Sequence, residues 1–135
     1  MAETVVTKSA KASVDTSTGL VNMPITGLIA GENIATCDMV YIKSDGLVWR
    51  ATAAAANAAA KPAGIAPRAA DAGQPITILP GPGQVVKYSD AALTPGAILY
   101  LGETAGALSS IATTGDAVGV AQAIDSSNIR LTRAI

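Results

Sequence analysis

Residues 39–49, Met-Val-Tyr-Ile-Lys-Ser-Asp-Gly-Leu-Val-Trp, decide the predicted fold. The first four residues form a β-favouring run, Ser-Asp-Gly at 44–46 is a turn signal, and the last three residues return to a strand pattern. Two short strands on either side of a glycine-containing turn are typical of a β-hairpin. The stretch therefore predicts a fold made of short strands joined by tight turns.

The same pattern returns in the second half of the chain. In both copies a tyrosine stands among aliphatic residues, at Tyr41 and at Tyr100, and a hairpin turn follows, with a one-residue slip between the copies. Each copy then reaches a glycine within a small apolar segment and ends on a strand. Four pairs of segments carry the match: 34–42 with 93–101, 45–48 with 105–108, 63–66 with 118–121, and the closing strands 76–79 with 129–132.

This repeat predicts the architecture. Two half-repeats, about 34–80 and 85–133, are too few for a solenoid, which usually needs at least three units. We expect an all-β fold, a small β-barrel of two similar halves produced by internal duplication, because two half-barrels can cover each other's apolar faces and pair their edges. The turn-rich residues 81–84 are expected to connect the halves.

Glycines recur at matching places in the two half-repeats. Gly46 and Gly106 are expected at positive φ in the hairpin turns. Gly64 and Gly119 are expected where a strand bends sharply or packs closely against a neighbour. These roles are mechanical and need no ligand.

Two segments lie outside the strand pattern. Residues 1–25 are rich in hydroxyl-bearing and small side chains and are predicted to form an extended N-terminal arm ahead of a β-barrel domain at 26–135; the alternative is an untethered terminus. The Ala-rich residues 51–61 favour a short helix of about two to three turns, with Thr52 as its N-cap and Pro62 ending it. The alternative for this stretch is a surface loop of low complexity.

Alanine supplies most of the apparent apolar content. The 135 residues include 28 Ala against 31 Ile, Val and Leu together, with one Trp, three Tyr and no Phe. Such a stock can fill one modest aliphatic core, and association between chains commonly supplements a small core. We therefore expect one domain that buries some apolar surface against other chains.

Charge and patterning argue against two classes of partner. The net charge is −1 and the nine basic residues are scattered from Lys8 to Arg133, so we expect no nucleic-acid partner, which would require clustered cations. The N-terminus lacks the basic start and apolar block of a signal peptide, and the longest uncharged stretch, 16–31, contains Pro24 and several hydroxyls. We therefore expect no membrane partner.

The sequence offers little for catalysis. It has no histidine, so Ser-His-Asp and Cys-His sites are impossible. The single Cys37 cannot form a zinc cage; it is consistent with synthesis in a reducing compartment and is expected as a small, half-buried side chain. Paired carboxylates are conceivable, but most acids sit in turns, as solvated loop tips do. We predict no catalytic, cofactor-binding or metal-binding residue, and no enzyme. The acids assigned to loop tips are Glu32, Asp45, Asp71, Asp90, Glu103, Asp116 and Asp125.

Trp49 is the one tryptophan of the chain. Two interpretations are open for it. It is either a core anchor or an exposed hot spot for a partner, since tryptophan is enriched at the centres of interfaces.

The repeated segments also resemble a known family. The order of a Val-Tyr-Ile strand, an Asp-Gly turn, an Ala-rich stretch, Gly-Ile-Ala and Gln-Pro-Ile-Thr-Ile resembles the tailed-bacteriophage capsid decoration, or cement, proteins. The strings at 92–101, Ala-Leu-Thr-Pro-Gly-Ala-Ile-Leu-Tyr-Leu, and at 119–123, Gly-Val-Ala-Gln-Ala, carry the same likeness. It spans about residues 30–133 and does not include the N-terminal arm.

This resemblance implies a virion structural protein. Members of that family are small β-barrel proteins that form trimers on the outside of an icosahedral head and bridge neighbouring major capsid subunits. The implied partners are the major capsid protein and further copies of the chain, the implied location is the outer capsid surface, and synthesis would take place in the bacterial host cytoplasm. On this interpretation the arm contacts the capsid. The residues expected in that contact are Val5, Val6, Lys8, Lys11, Leu20 and Val21.

A receptor- or glycan-binding module on a phage head or tail is the alternative from another class. An exposed cluster of Trp49, Tyr41 and Tyr88 on a concave surface would favour it. A hydrolase is a third alternative, which would need a pocket with two acids within about 5 to 10 Å of each other.

Overall fold

The computed structural model of the chain describes residues 3–8 and 24–133. Apart from one 3₁₀ helix at Ala58–Ala60, the regular secondary structure of these residues consists of β-strands, which confirms the predicted all-β class. The strands are β1 (Ile25–Ile29), β2 (Met39–Ile42), β3 (Val48–Arg50), β4 (Gly64–Ile65), β5 (Pro75–Pro80), β6 (Val85–Lys87), β7 (Ile98–Leu101), β8 (Leu108–Ser109), β9 (Ala121–Ala123) and β10 (Asn128–Leu131).

The ten strands form two sheets with one topology. The first half is a sheet in the order β1-β5-β4-β2-β3, and the second half is a sheet in the order β6-β10-β9-β7-β8. Adding five to each strand number of the first order gives the second order. Neighbouring strands within each sheet are antiparallel. The structure thus confirms two similar halves, and residues 81–84 connect them as predicted.

The hairpin that decided the prediction has the expected geometry. The Lys43 amide donates to the Leu47 carbonyl at 3.0 Å, and Gly46 lies at a φ of +83°. A three-residue loop whose last residue is left-handed is a common hairpin connection. Gly106 lies at +79° in the matching turn of the second half, so glycine supplies the required backbone conformation in both copies.

Strand pairing corrects one part of the predicted repeat. Val40 pairs with Gly64, and its counterpart Leu99 pairs with Ala121, so Gly64 corresponds to Ala121 and not to Gly119. The sequence match followed the glycine, which placed the segment two residues away. A shift of two keeps each side chain on the same face of a strand, and so the apolar pattern alone cannot detect it.

The first sheet is buried on both faces. One face contributes Val40, Val48 and Ile78 to the core of the first half. The opposite face contributes Met39, Ile65 and Leu79 to a larger cluster that also contains the core of the second half. The contact between the halves is therefore continuous with the interior of the second half.

The Ala-rich stretch does not form the predicted α-helix. Residues 51–53 are extended instead: the Ala51 amide donates to the Met39 carbonyl at 2.8 Å, and the Ala53 amide donates to the Gly102 carbonyl at 2.8 Å. Only Ala58–Ala60 is helical, as a 3₁₀ turn capped by Asn57. Alanine favours a helix when only local contacts compete. Here backbone hydrogen bonds to distant strands, together with burial of Ala51 and Ala53, override that preference.

The two halves are closed in different ways. In the first half the chain continues past β1 and reaches β3, where Ala30 forms a parallel bridge with Val48 and the Gly31 amide donates to the Val48 carbonyl at 2.8 Å. In the second half, residues 3–8 lie along β8, and Val5 bridges Ser109 in antiparallel fashion. We therefore assign residues 3–8 to the second half and not to a separate arm. The remaining predicted arm residues, 9–23, lie outside the described residues.

Candidate interaction surfaces

Cys37 is a buried thiol at the junction of the two halves. Its side chain has no exposed surface, and Sγ lies 3.5 Å from the Lys87 carbonyl oxygen. This corrects the expectation of a half-buried side chain. Burial raises the pKa of the Cys37 thiol to about 11, because the thiolate would be desolvated there. A protonated, inaccessible thiol is a poor nucleophile.

Side chains that could bind a metal ion do not cluster in the part of the chain that the structure describes. Within residues 3–8 and 24–133, no three His, Cys, Asp or Glu side chains are placed to hold a metal ion. No helix in these ranges has the length and apolar character needed to cross a bilayer.

Asp116 is a buried structural carboxylate, which corrects its assignment to a solvated loop tip. Its oxygens accept hydrogen bonds from the backbone amides of Leu101 at 2.8 Å and Gly119 at 2.8 Å. They also accept from the Val118 amide at 3.1 Å and from the Arg133 guanidinium at 2.8 Å. With its acceptors engaged in this way, the carboxylate organises the turn before β9.

Trp49 is half-buried, so it is neither a core anchor nor a fully exposed side chain. Its indole covers Gly31 so closely that an added Cβ there would lie 2.4 Å from Trp49 Cε2. The Lys43 ammonium lies 4.5 Å from the ring centroid, and the indole N–H is 3.3 Å from an Asp45 carboxylate oxygen. The ring is thus held at the surface of the first half with its orientation set by neighbours.

The three aromatic side chains whose exposed cluster would favour a receptor- or glycan-binding module do not all lie together. Tyr41 stands opposite Trp49 across β2 and β3, and both are partly exposed. Tyr88 is instead fully buried, where its hydroxyl accepts a hydrogen bond from the Leu108 amide at 3.2 Å. Burial raises the pKa of the Tyr88 phenol well above its ordinary value. The exposed three-aromatic platform does not form.

A shallow depression lies beside Tyr41 on the first half. It lies between the β2 strand with its turn and the 3₁₀ helix. The lining residues are Tyr41, Ile42, Lys43, Ser44, Asn57, Ala58 and Ala59.

Of the six residues predicted to contact the capsid, three belong to the described part of the chain. Val5 is 48% exposed, so its side chain can contact a partner. Val6 is only 8% exposed and belongs to the core of the second half, and Lys8 forms an ion pair with the nearly buried carboxylate of Asp38. Both side chains therefore make contacts within the chain, and their contact with a capsid stays a prediction. Lys11, Leu20 and Val21 lie outside the described residues.

Several large aliphatic side chains face solvent and were not singled out from the sequence. Val118 is the most exposed of them at 75%, and it adjoins Gly119, against which the Ile98 side chain packs. Ile98 is also exposed, and both residues belong to the second half. Alternation along a strand does not reveal such positions, since both residues lie at or beyond strand ends. The exposed set is Val5, Ile29, Ile42, Ile98, Ile111, Val118 and Ile124.

Comparison with protein-family models, with curated proteins and with solved structures finds no match for this chain.

Proposed function

We propose that this chain is a virion structural protein, a decoration protein that binds the outside of an icosahedral phage head as a trimer. In this role it bridges major capsid subunits and stabilises the expanded shell. The observation that carries the proposal is the apolar surface of the duplicated β fold: among residues 3–8 and 24–133, seven large aliphatic side chains are exposed, with Val118 at 75%. Large aliphatic side chains in contact with water gain favourable free energy when a partner protein buries them. The resemblance of residues 30–133 to phage decoration proteins supplies the partner.

Binding to an assembled shell stabilises it by mass action. A protein that recognises the expanded lattice but not free capsid subunits adds its binding free energy to the lattice alone. Three copies placed about a local three-fold axis act together, because each bound contact raises the effective concentration of the next. Individually weak aliphatic contacts, such as those available to Val118 and Ile98, are then sufficient.

Electron microscopy of intact particles containing the chain tests the proposal. We expect external protrusions at regular lattice points, and particles that rupture at a higher temperature with the chain bound than without it. Particles with bare heads, from which the chain is absent or attached only to the tail, would overturn it.

The trimer is tested separately. Sedimentation velocity at micromolar concentration is expected to give three times the 13.4 kDa mass of one chain. Val118→Asp is expected to weaken head binding or trimer formation, because it places a charge in an apolar contact. Val118→Ala is the matched control, since it shortens the side chain without adding charge. A monomer both in solution and on particles would remove the trimer from the proposal.

A glycan-binding module is the alternative class, and the depression beside Tyr41 is the observation that favours it. An aromatic wall with hydroxyl and amide groups at Ser44 and Asn57 is the kind of surface that holds a sugar. A glycan array probed with the full chain and with Tyr41→Ala discriminates the classes: glycan binding that depends on Tyr41 supports the alternative. The decoration proposal expects no such signal.

A further inference from the structure

We propose that the second half carries a strand-accepting groove, and that in the oligomer this groove is filled by residues 3–8 of a neighbouring copy. We call residues 3–8 the N-terminal segment. The acceptor groove is the outer edge of β8 (Leu108–Ser109), which the chain's own segment covers in this structure. Ser110, Ser89, Thr104 and Asp38 complete the groove and contact the segment. The occupant has the sequence Glu-Thr-Val-Val-Thr-Lys.

Backbone pairing holds the middle of the segment. The Val6 amide donates to the Leu108 carbonyl at 2.9 Å, and the Ser110 amide donates to the Thr4 carbonyl at 2.8 Å. An unpaired strand edge presents a row of backbone donors and acceptors that accepts a further strand readily. The Val6 side chain enters the core of the second half, which adds apolar burial to the pairing.

Contacts at both ends set the direction and the register. The Glu3 carboxylate accepts from the Thr104 amide at 3.0 Å and from the Thr104 hydroxyl. At the other end, Lys8 pairs with Asp38, and the Ser89 hydroxyl donates to the Thr7 carbonyl at 2.6 Å. These contacts specify a particular hexapeptide, so the groove is selective for this segment.

The way the segment is attached allows exchange between copies. The first half is closed by the chain that directly continues β1, which leaves no freedom to exchange it. The N-terminal segment is separated from residue 24 by fifteen residues, 9–23, which span at most about 50 Å when extended. A domain of this length is roughly 35 to 40 Å across. A segment on such a tether can reach the groove of an adjacent copy and make the same contacts there, which is the low-cost route to an exchanged oligomer.

This inference rests on the association of copies in the proposed function, but not on capsid binding. An exchanged oligomer that never binds heads would keep the inference and remove the decoration role. A monomer that binds heads would do the opposite.

Disulfide trapping in the full chain tests the exchange. Val5 and Ser109 face each other as a non-hydrogen-bonded antiparallel pair, the arrangement whose Cα separation suits a disulfide. Val5→Cys/Ser109→Cys is oxidised at micromolar concentration and run on a denaturing, non-reducing gel. Cys37 stays in place, because it is buried and its thiol is protonated. We expect covalent dimers and trimers that reduction returns to the monomer.

The matched control is Ile42→Cys/Val48→Cys in the first half. This pair has the same antiparallel geometry, with one exposed and one buried member, but its two strands belong to one hairpin. It is expected to give disulfide-bonded monomers only. Covalent oligomers from the Val5/Ser109 pair alone would therefore identify the exchanged segment.

A mixing experiment separates exchange from chance collision. A tagged Val5→Cys chain and an untagged Ser109→Cys chain are unfolded together, refolded and oxidised, and we expect a disulfide between the tagged and the untagged chain. Failure to form that bond, while the double variant forms a bond within the monomer, would overturn the proposal. No bond in either experiment would overturn it equally, since the segment would then not pair with β8 at all.

Discussion

The first half of the molecule closes on itself, whereas the second half is completed by residues from the far end of the chain. The sheet of the first half reaches from β1 back to β3 through the Ala30–Val48 bridge. The second sheet has the same strand order but meets residues 3–8 at β8. One backbone pairing pattern thus accommodates two ways of covering an edge, because an edge needs only a partner strand and not a particular connection to it.

The two halves also differ in the size of their core side chains. At three equivalent positions the second half holds the larger side chain: Leu99 for Val40, Leu108 for Val48 and Val120 for Ala63. The cluster that contains the core of the second half also includes Val6 from the N-terminal segment. Interiors are close-packed, so a core with larger side chains requires more space around the same sheet. The two sheets therefore keep the same strand order although their core side chains differ in size and their edges are covered by different segments.

The largest expected effect comes from removing the buried Asp116 carboxylate, which holds together the turn before β9 in the second half. Asp116→Ala leaves three backbone amides and a guanidinium without their carboxylate, and should lower the free energy of unfolding by about 3 to 5 kcal/mol. Glu32→Ala is the comparison variant in the first half, although Glu32 does not occupy the equivalent position. It removes a half-exposed ion pair with Arg50 and a bond from the Arg50 amide, and should cost about 1 kcal/mol. Urea unfolding measures the free energy of unfolding that each variant loses. Equal losses would contradict the expectation that the buried carboxylate contributes more than the half-exposed one.

The next effect tests the corrected repeat at Gly64. An added Cβ there would lie 2.3 Å from the Leu79 carbonyl oxygen, so Gly64→Ala should destabilise the protein by about 3 kcal/mol. The second half already holds alanine at the equivalent position, Ala121. Ala121→Gly should therefore cost only about 1 kcal/mol. A neutral Gly64→Ala, measured by thermal unfolding, would show that β4 and β5 can separate without loss.

A third variant pair tests the completion of the second half. Val6→Ala removes buried methyl groups and should lower the free energy of unfolding by about 2 kcal/mol, whereas Val5→Ala at its exposed neighbour should change it by less than about 0.5 kcal/mol. Hydrogen exchange should show faster opening at the Ser110 amide in Val6→Ala, with the Gly31 amide unchanged. Equal loss of protection at Gly31 would mean that the two halves open as one unit.

The smallest effect at neutral pH concerns Cys37 at the junction. Its thiol pKa is raised from 9.0 to about 11 by burial, so the unfolded chain releases this proton first as pH rises. Stability from the neutral thiol is therefore complete below about pH 9 and falls as pH rises towards about 11. Cys37→Ala should lose less stability than the parent chain between about pH 9 and pH 11. Identical pH dependence of urea unfolding in the two proteins would contradict burial of the thiol.

Local patterns in the sequence predicted the hairpins well. The turn at Gly46 requires a left-handed residue, and the Tyr41 and Tyr100 segments occupy equivalent strands because alternation of apolar residues is a property of neighbours in the chain. The Ala-rich stretch shows the limit of such patterns. Its extended conformation depends on carbonyls of Met39 and Gly102, which no local propensity encodes.

The candidate surfaces were less predictable than the fold. Val6 and Lys8 resemble arm residues in the sequence, yet their burial and ion pairing depend on β8 and Asp38, about 100 and 30 residues away. Asp116 has the neighbours of a loop-tip acid, but four donors converge on it from three parts of the chain. The exposure of Val118 and Ile98 likewise depends on which distant parts of the chain pack beside them. The residue pattern of one strand does not contain that information.

By itself the sequence determined the all-β class, the duplication and the positions of the tight turns, because each follows from residues that are close together in the chain and from a period of two. Only the tertiary structure decided the two-residue offset of the repeat, the extended path of the alanines and the closure of each half. These depend on which distant backbone groups and apolar faces meet, and the energy of those contacts exceeds the local preferences that a sequence displays.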